Sequence, residues 1–189
     1  MSTSRKDFIK KLCVSGTCLC GFSSIMLTAK GNDNTNTETT SQNEGNQLIQ
    51  EWISNVLSNL DIEIDKELIR GVLKKSSIVH YNNLKMDEML SNYIGDLDKF
   101  INFIEDKWNW KIDYNKTTKT LIADENKNHC VCPISNHEKG INSSAMCFCS
   151  EGFAEKMFST VAGIPASAEV ISSIRKGDDS CKYKIKFQD

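Results

Sequence analysis

Between residues 129 and 181 the chain reads HCVCP, then MCFCSEGF, then IRKGDDSC, and this stretch holds five of its eight cysteines. Four of them form two Cys-x-Cys pairs, Cys130/Cys132 and Cys147/Cys149, and Cys181 stands apart. In an extended backbone alternate side chains point the same way, so each pair, read as strand, presents two thiols to one side. Two such pairs facing each other make a thiolate pocket. Zinc, or less well an iron–sulfur cluster, takes about four ligands of this kind. Zinc sites usually space their cysteines two to four residues apart, so Cys-x-Cys is the less specific pattern. Disulfides and plain buried thiols are the competing readings. His129 and His137 flank the first pair and are candidates for an additional ligand or a proton shuttle. The alternation of Cys181 with Tyr183, Ile185 and Phe187 reads equally as a ligand or as a buried filler.

Other chemistries find little support. There is no Gly-x-Ser-x-Gly elbow, His-Glu-x-x-His helix or phosphate-binding loop. A redox pair of the Cys-x-x-Cys type is also absent. With 23 basic residues against 25 acidic ones, scattered along the chain, no positive field invites nucleic acid. After the first 30 residues no apolar run approaches the roughly 20 needed to span a bilayer.

The elements that must position the cysteines follow in order. Residues 4–12, SRKDFIKKL, and the weakly polar run CVSGTCLCGFSSIMLTA have the basic, apolar and small-residue order of an export signal over residues 1–29. Ser4, Arg5, Phe8, Ile9 and Lys10 resemble a twin-arginine signal, with Lys6 where the second arginine belongs; general secretory export is the alternative. Removing the signal takes away Cys13, Cys18 and Cys20 and leaves five cysteines, an odd number that cannot all pair in an oxidising compartment. A metal site holds thiolates as ligands and avoids that difficulty. After export no segment would remain for the membrane.

Residues 30–46 lack large apolar side chains and read as a flexible linker. A single α+β domain is expected over 47–189, helical from 47 to 108 and sheet-forming and cysteine-rich from 109 to 189. Leu48, Ile49, Trp52, Ile53, Val56, Leu57 and Leu60 recur at helical spacing. Asp65 can cap a second helix, and Asp87 a third that runs past Gly95 to Trp108. Trp110, Ile112 and Tyr114 alternate, NKTTK offers a turn, and TLIAD supplies a partner strand. HCVCP extends as a strand to Pro133. Ser150 caps a helix that ends at Gly163 and Pro165, with both thiols of the second pair just before it. Residues 166–174 and the Cys181–Phe187 alternation complete the sheet.

The order CFCSEGF, FSTVAGIP and AEVISSIRKGDDSCKYKI, over roughly residues 110–189, resembles the C-terminal half of the 4-vinyl reductase domain family. It is similar too to proteins known as L-2-amino-thiazoline-4-carboxylic acid hydrolases, including a bacterial subgroup with the same paired cysteines. The resemblance implies an antiparallel sheet with helices around an apolar ligand cavity, and zinc held beside it by cysteines and a glutamate. Cys147 and Cys181 fall on two of those cysteine positions. Ser173 stands where another cysteine would be, and no glutamate lies at the expected distance before Cys147, so Cys130, Cys132 or Cys149 would have to complete the site. The expectation is an exported domain that binds a small molecule or zinc, or alternatively a hydrolase of the amino-thiazoline type.

Overall fold

The computed structural model describes residues 37–132 and 143–188, with backbone alone for 37–46. The chain divides into two compact units, Met1–Thr40 and Ser41–Asp189, and of the first only the start of a helix is described. The architecture is α+β, as the two periodicities indicate: helices, then a four-stranded antiparallel sheet.

Helix α1 spans Thr37–Glu63, so it begins inside the segment read as a linker. Its seating is lopsided. Leu57 is buried, while Leu48, Ile49 and Trp52, at the start of the same apolar stripe, stand out in solvent. Helix α2, Lys66–Asn83, starts where Asp65 was expected to cap it: the carboxylate accepts the Glu67 and Leu68 amides at 3.0 and 3.1 Å. The expected third helix is two. A short α3, Met86–Leu90, and a 3-10 turn, Ser91–Tyr93, lead to Gly95 at φ 81°, a left-handed conformation that ends the run. Asp96 then caps α4, Leu97–Trp108, by accepting the Lys99 amide at 3.0 Å. Asp87 accepts the Tyr81 hydroxyl at 2.9 Å instead of capping.

Strands β1, Lys111–Asn115, and β2, Thr120–Asp124, form the expected hairpin. Strand β2 pairs with β4, Lys182–Phe187, and β4 with β3, Ala166–Ser172, giving the order β1-β2-β4-β3. Leu121, Ala123, Tyr183, Ile185 and Phe187 point inward onto helix α5, Cys147–Ala162, and onto Phe100 and Ile104 of α4.

Helices α2 and α5 meet at very short range. A Cβ placed on Gly152 would lie 2.2 Å from the Lys74 carbonyl oxygen, so only glycine fits there. Immediately before it Glu151, 1 % exposed, receives Arg70 Nε at 2.7 Å and Nη2 at 2.9 Å, and its Oε1 also accepts the Val170 amide at 2.9 Å. A single buried carboxylate thereby joins α2, α5 and β3, with its charge and acceptor capacity used.

A candidate ligand cavity between the helices and the sheet

Both Cys-x-Cys pairs depart from the strand reading. Residues 129–132 are irregular, and Cys147 and Cys149 lie in the first turn of α5. Ser150 is therefore inside the helix and not its cap; Ser143 caps the preceding 3-10 turn, Ser144–Met146, through the Ala145 amide. Two residues along a helix turn the side chain by roughly 200°, so the pair splits. Cys147 faces a cavity, whereas Cys149 is buried on another side of α5.

The cavity has a volume of about 280 Å³. Helix α5 presents one face to it through Cys147, Ser150, Phe153, Ala154 and Met157, a repeat of three and four residues. His80 and Leu84 at the end of α2, Met86 of α3 and Trp108 at the end of α4 form a second wall. Trp110, Val170 and Tyr183 come from the sheet side, and Cys130, Val131 and Cys132 from the irregular segment. Glu125, Met146, Ser173, Arg175 and Cys181 complete the lining. The volume equals about nine waters of liquid. It is close to the lower bound of small-ligand pockets.

The aromatic walls are held by one another. Trp108 and Trp110 meet edge to face at 5.4 Å, Trp110 lies flat on Tyr183 at 6.2 Å, and His80 packs on Phe153 at 4.8 Å. One polar group is set deep among them. Glu125, 8 % exposed, accepts the Tyr183 hydroxyl at 2.6 Å. Burial raises the Glu125 pKa above the ordinary carboxyl value and drives that of Tyr183 far up, the nearby carboxylate adding to the second. Burial also lowers His80.

Three of the thiols behave alike. Burial pushes Cys181 up to about 11, with smaller contributions from Glu125, Cys147 and Cys130. It also raises Cys147, whose thiol donates to Ser173 Oγ at 3.4 Å, and pushes Cys149 up to about 11, with Cys132 as a lesser neighbour. These three thiols are therefore protonated near neutrality, and the cysteines are free of disulfides among the described residues.

Of the sequence-derived candidates, Cys130, Cys132, Cys147 and Cys181 line one cavity and Cys149 does not. His129 is exposed beside Asn128 and does not line it, and His137 lies outside the described residues. Among the described residues no three of His, Cys, Asp or Glu are grouped so as to hold a metal ion. The sequence reading missed Glu125 and His80, because each signal is tertiary: Glu125 follows β2 directly, and only the fold brings it beside Tyr183.

A family model described as "Family of unknown function (DUF6144)" matches residues 9–189. No curated protein matches the sequence. Among solved structures, the chain is similar to a trafficking protein particle complex subunit 3 from Naegleria fowleri covalently bound to palmitic acid. That similarity has a TM-score of 0.44 and 12% identity, and it covers 78% of this chain and 97% of that one. A likeness of that degree carries no argument about function.

Proposed function

The chain belongs to the DUF6144 family, and we propose that it is a binding protein for a small, mainly apolar molecule carrying one hydrogen-bonding group. The cavity is the observation that supports this reading: two indoles, Phe153 and three methionines surround a space with one deep carboxyl. An apolar pocket with a few convergent polar groups is the ordinary form of a ligand site. His80 and the thiols Cys147 and Cys181 are uncharged near neutrality, and Arg175 is the fixed cation of the described lining.

Protonated thiols also favour binding over thiol chemistry, because the thiolate is both the nucleophile and the metal ligand. The amino-thiazoline hydrolase alternative would need one of them activated, whereas burial acts in the opposite direction. The basic and apolar order of residues 1–29 supports export, so we place the folded domain outside the cytoplasm. No helix among the described residues is long and apolar enough to cross a membrane.

The test is native mass spectrometry of protein purified without chelator, combined with quenching of Trp108 and Trp110 fluorescence by a panel of one- and two-ring aromatic compounds. The expected result is a retained organic adduct, or saturable quenching that weakens in Glu125→Ala. One zinc per chain, released only by chelator, would replace this reading with the metal-binding one. An empty protein unquenched by any compound would refute it.

A further inference from the structure

We infer that the chain forms a two-fold dimer in which α1 of each copy lies on α2 of the other. Both helices expose apolar stripes that nothing among the described residues covers. On α1, Leu48, Ile49 and Trp52 are 62, 57 and 66 % exposed; on α2, Leu68, Val72 and Val79 are 61, 56 and 62 % exposed. The spacings of four and seven residues place Leu68, Val72 and Val79 within about 40° of one another around the α2 axis. A monomer normally exposes such residues singly, and a contiguous patch marks an interaction surface.

Charge decides which surface meets which. From residue 47 to the end of α1 the ionisable residues are Glu51, Asp61 and Glu63, with no basic residue among them. Helix α2 carries Lys66, Arg70, Lys74 and Lys75 against Glu67 alone. Arg70 and Lys74 are engaged within the chain by Glu151 and Glu155, and Lys75 is exposed between Val72 and Val79. Packing α1 on α1 would bring acids together, and α2 on α2 would oppose two Lys75 side chains. Exchanging the helices sets Glu51, next to Trp52, against the partner's Lys75. A contact of this kind made twice about a two-fold axis is closed and self-limiting.

The area suffices. Each of the six side chains leaves about 100 Å² in water, so covering both sets in two copies removes on the order of 1,200 Å², at the low end of specific interfaces. Trp52 is the natural anchor, since tryptophans dominate binding energy at interfaces.

Sedimentation of the full chain in reducing buffer tests the proposal. A dimer with a dissociation constant on the order of 10 μM or tighter is expected. Trp52→Glu and Val72→Glu should each weaken it by roughly 30-fold or more, while the melting of the dilute, dissociated chain stays unchanged because both positions face solvent within one copy. Val79→Glu replaces Val72→Glu if the latter melts early. Mixing an α1 variant with an α2 variant should restore association, because the mixed pair keeps one intact α1–α2 contact whereas neither variant alone keeps any. A chain that stays monomeric at on the order of 100 μM overturns the proposal. So does a dimer that survives Trp52→Glu, or a pair of variants that fails to complement; the last result would point to α1 against α1, or to residues 1–36 as the occupant.

Discussion

Gly152→Ala and Gly71→Ala add the same methyl group to two helices and should act in opposite directions. At Gly152 the new Cβ would sit 2.2 Å from the Lys74 carbonyl oxygen and 2.7 Å from both Lys74 Cα and Ser77 Oγ. Two of those atoms are backbone, so no rotamer change relieves the contact, and α5 must retreat from α2 by about 1 Å to reach van der Waals distance. A gap of that size forfeits a quarter to a half of the dispersion energy across the interface. The cost should reach the top of the overpacking range, about 3 kcal/mol. At Gly71 the Cβ meets nothing within 4 Å, and alanine raises helix propensity, for a gain of up to about 1 kcal/mol. Urea unfolding followed by tryptophan fluorescence reads both. With a slope near 2 kcal/mol/M, the midpoint should fall by about 1.5 M in Gly152→Ala and rise by about 0.5 M in Gly71→Ala. The protein is kept as dilute as the signal allows so that association does not enter. Because α2 and α5 form facing walls of the cavity, Gly152→Ala should also weaken the quenching of Trp108 and Trp110 by bound aromatics. A Gly152→Ala midpoint within about 0.3 M of wild type, or shifts of the same sign in both variants, would refute the packing argument.

Three further outcomes follow from the buried polar groups. Arg70→Met should destabilise by about 3 kcal/mol or more, since it strands the Glu151 carboxylate at 1 % exposure; a urea midpoint unchanged from wild type would contradict that cost. Glu125 has a folded pKa raised above its ordinary 4.5, so its contribution is fully present below that pH and is lost as pH rises through the folded value. Glu125→Gln should flatten the decline in stability across that window, and an identical pH profile would contradict the burial reading. Cys149 and Cys181, both pushed up to about 11, should be alkylated slowly by iodoacetamide at neutral pH, with rates rising about tenfold per pH unit towards 11; peptide mass spectrometry showing fast labelling of Cys181 at pH 7 would count against it.

Local signals in the sequence located most of the elements. The Asp65 cap, the 110–124 hairpin and the stop at Gly163 each depend on a few adjacent residues, and each stands where its pattern indicates. The Asp87–Trp108 run failed as one helix because its apolar spacing continues across a break. Gly95 at positive φ and a stronger cap at Asp96 restart the helix, and period alone cannot register either. The start of α1 was missed for the converse reason, because helix can extend through polar residues that bury nothing.

The cysteines show why a site is harder to read than an element. The pairing of thiols by Cys-x-Cys presumes a period of two, and MCFCSEGF carries no residue that excludes a helix; once the helix begins at Cys147, the same spacing separates the two thiols instead of joining them. What remains together is selected by the fold: Cys147 from the α5 face, Cys181 from the approach to β4 and Cys130 from an irregular segment, beside a glutamate that no spacing rule connects to them. The cysteine-rich segments thus line the candidate cavity, whose character comes from its walls. Burial among Trp108, Trp110, Phe153 and Met157 pushes the thiols of Cys147 and Cys181 towards the neutral form.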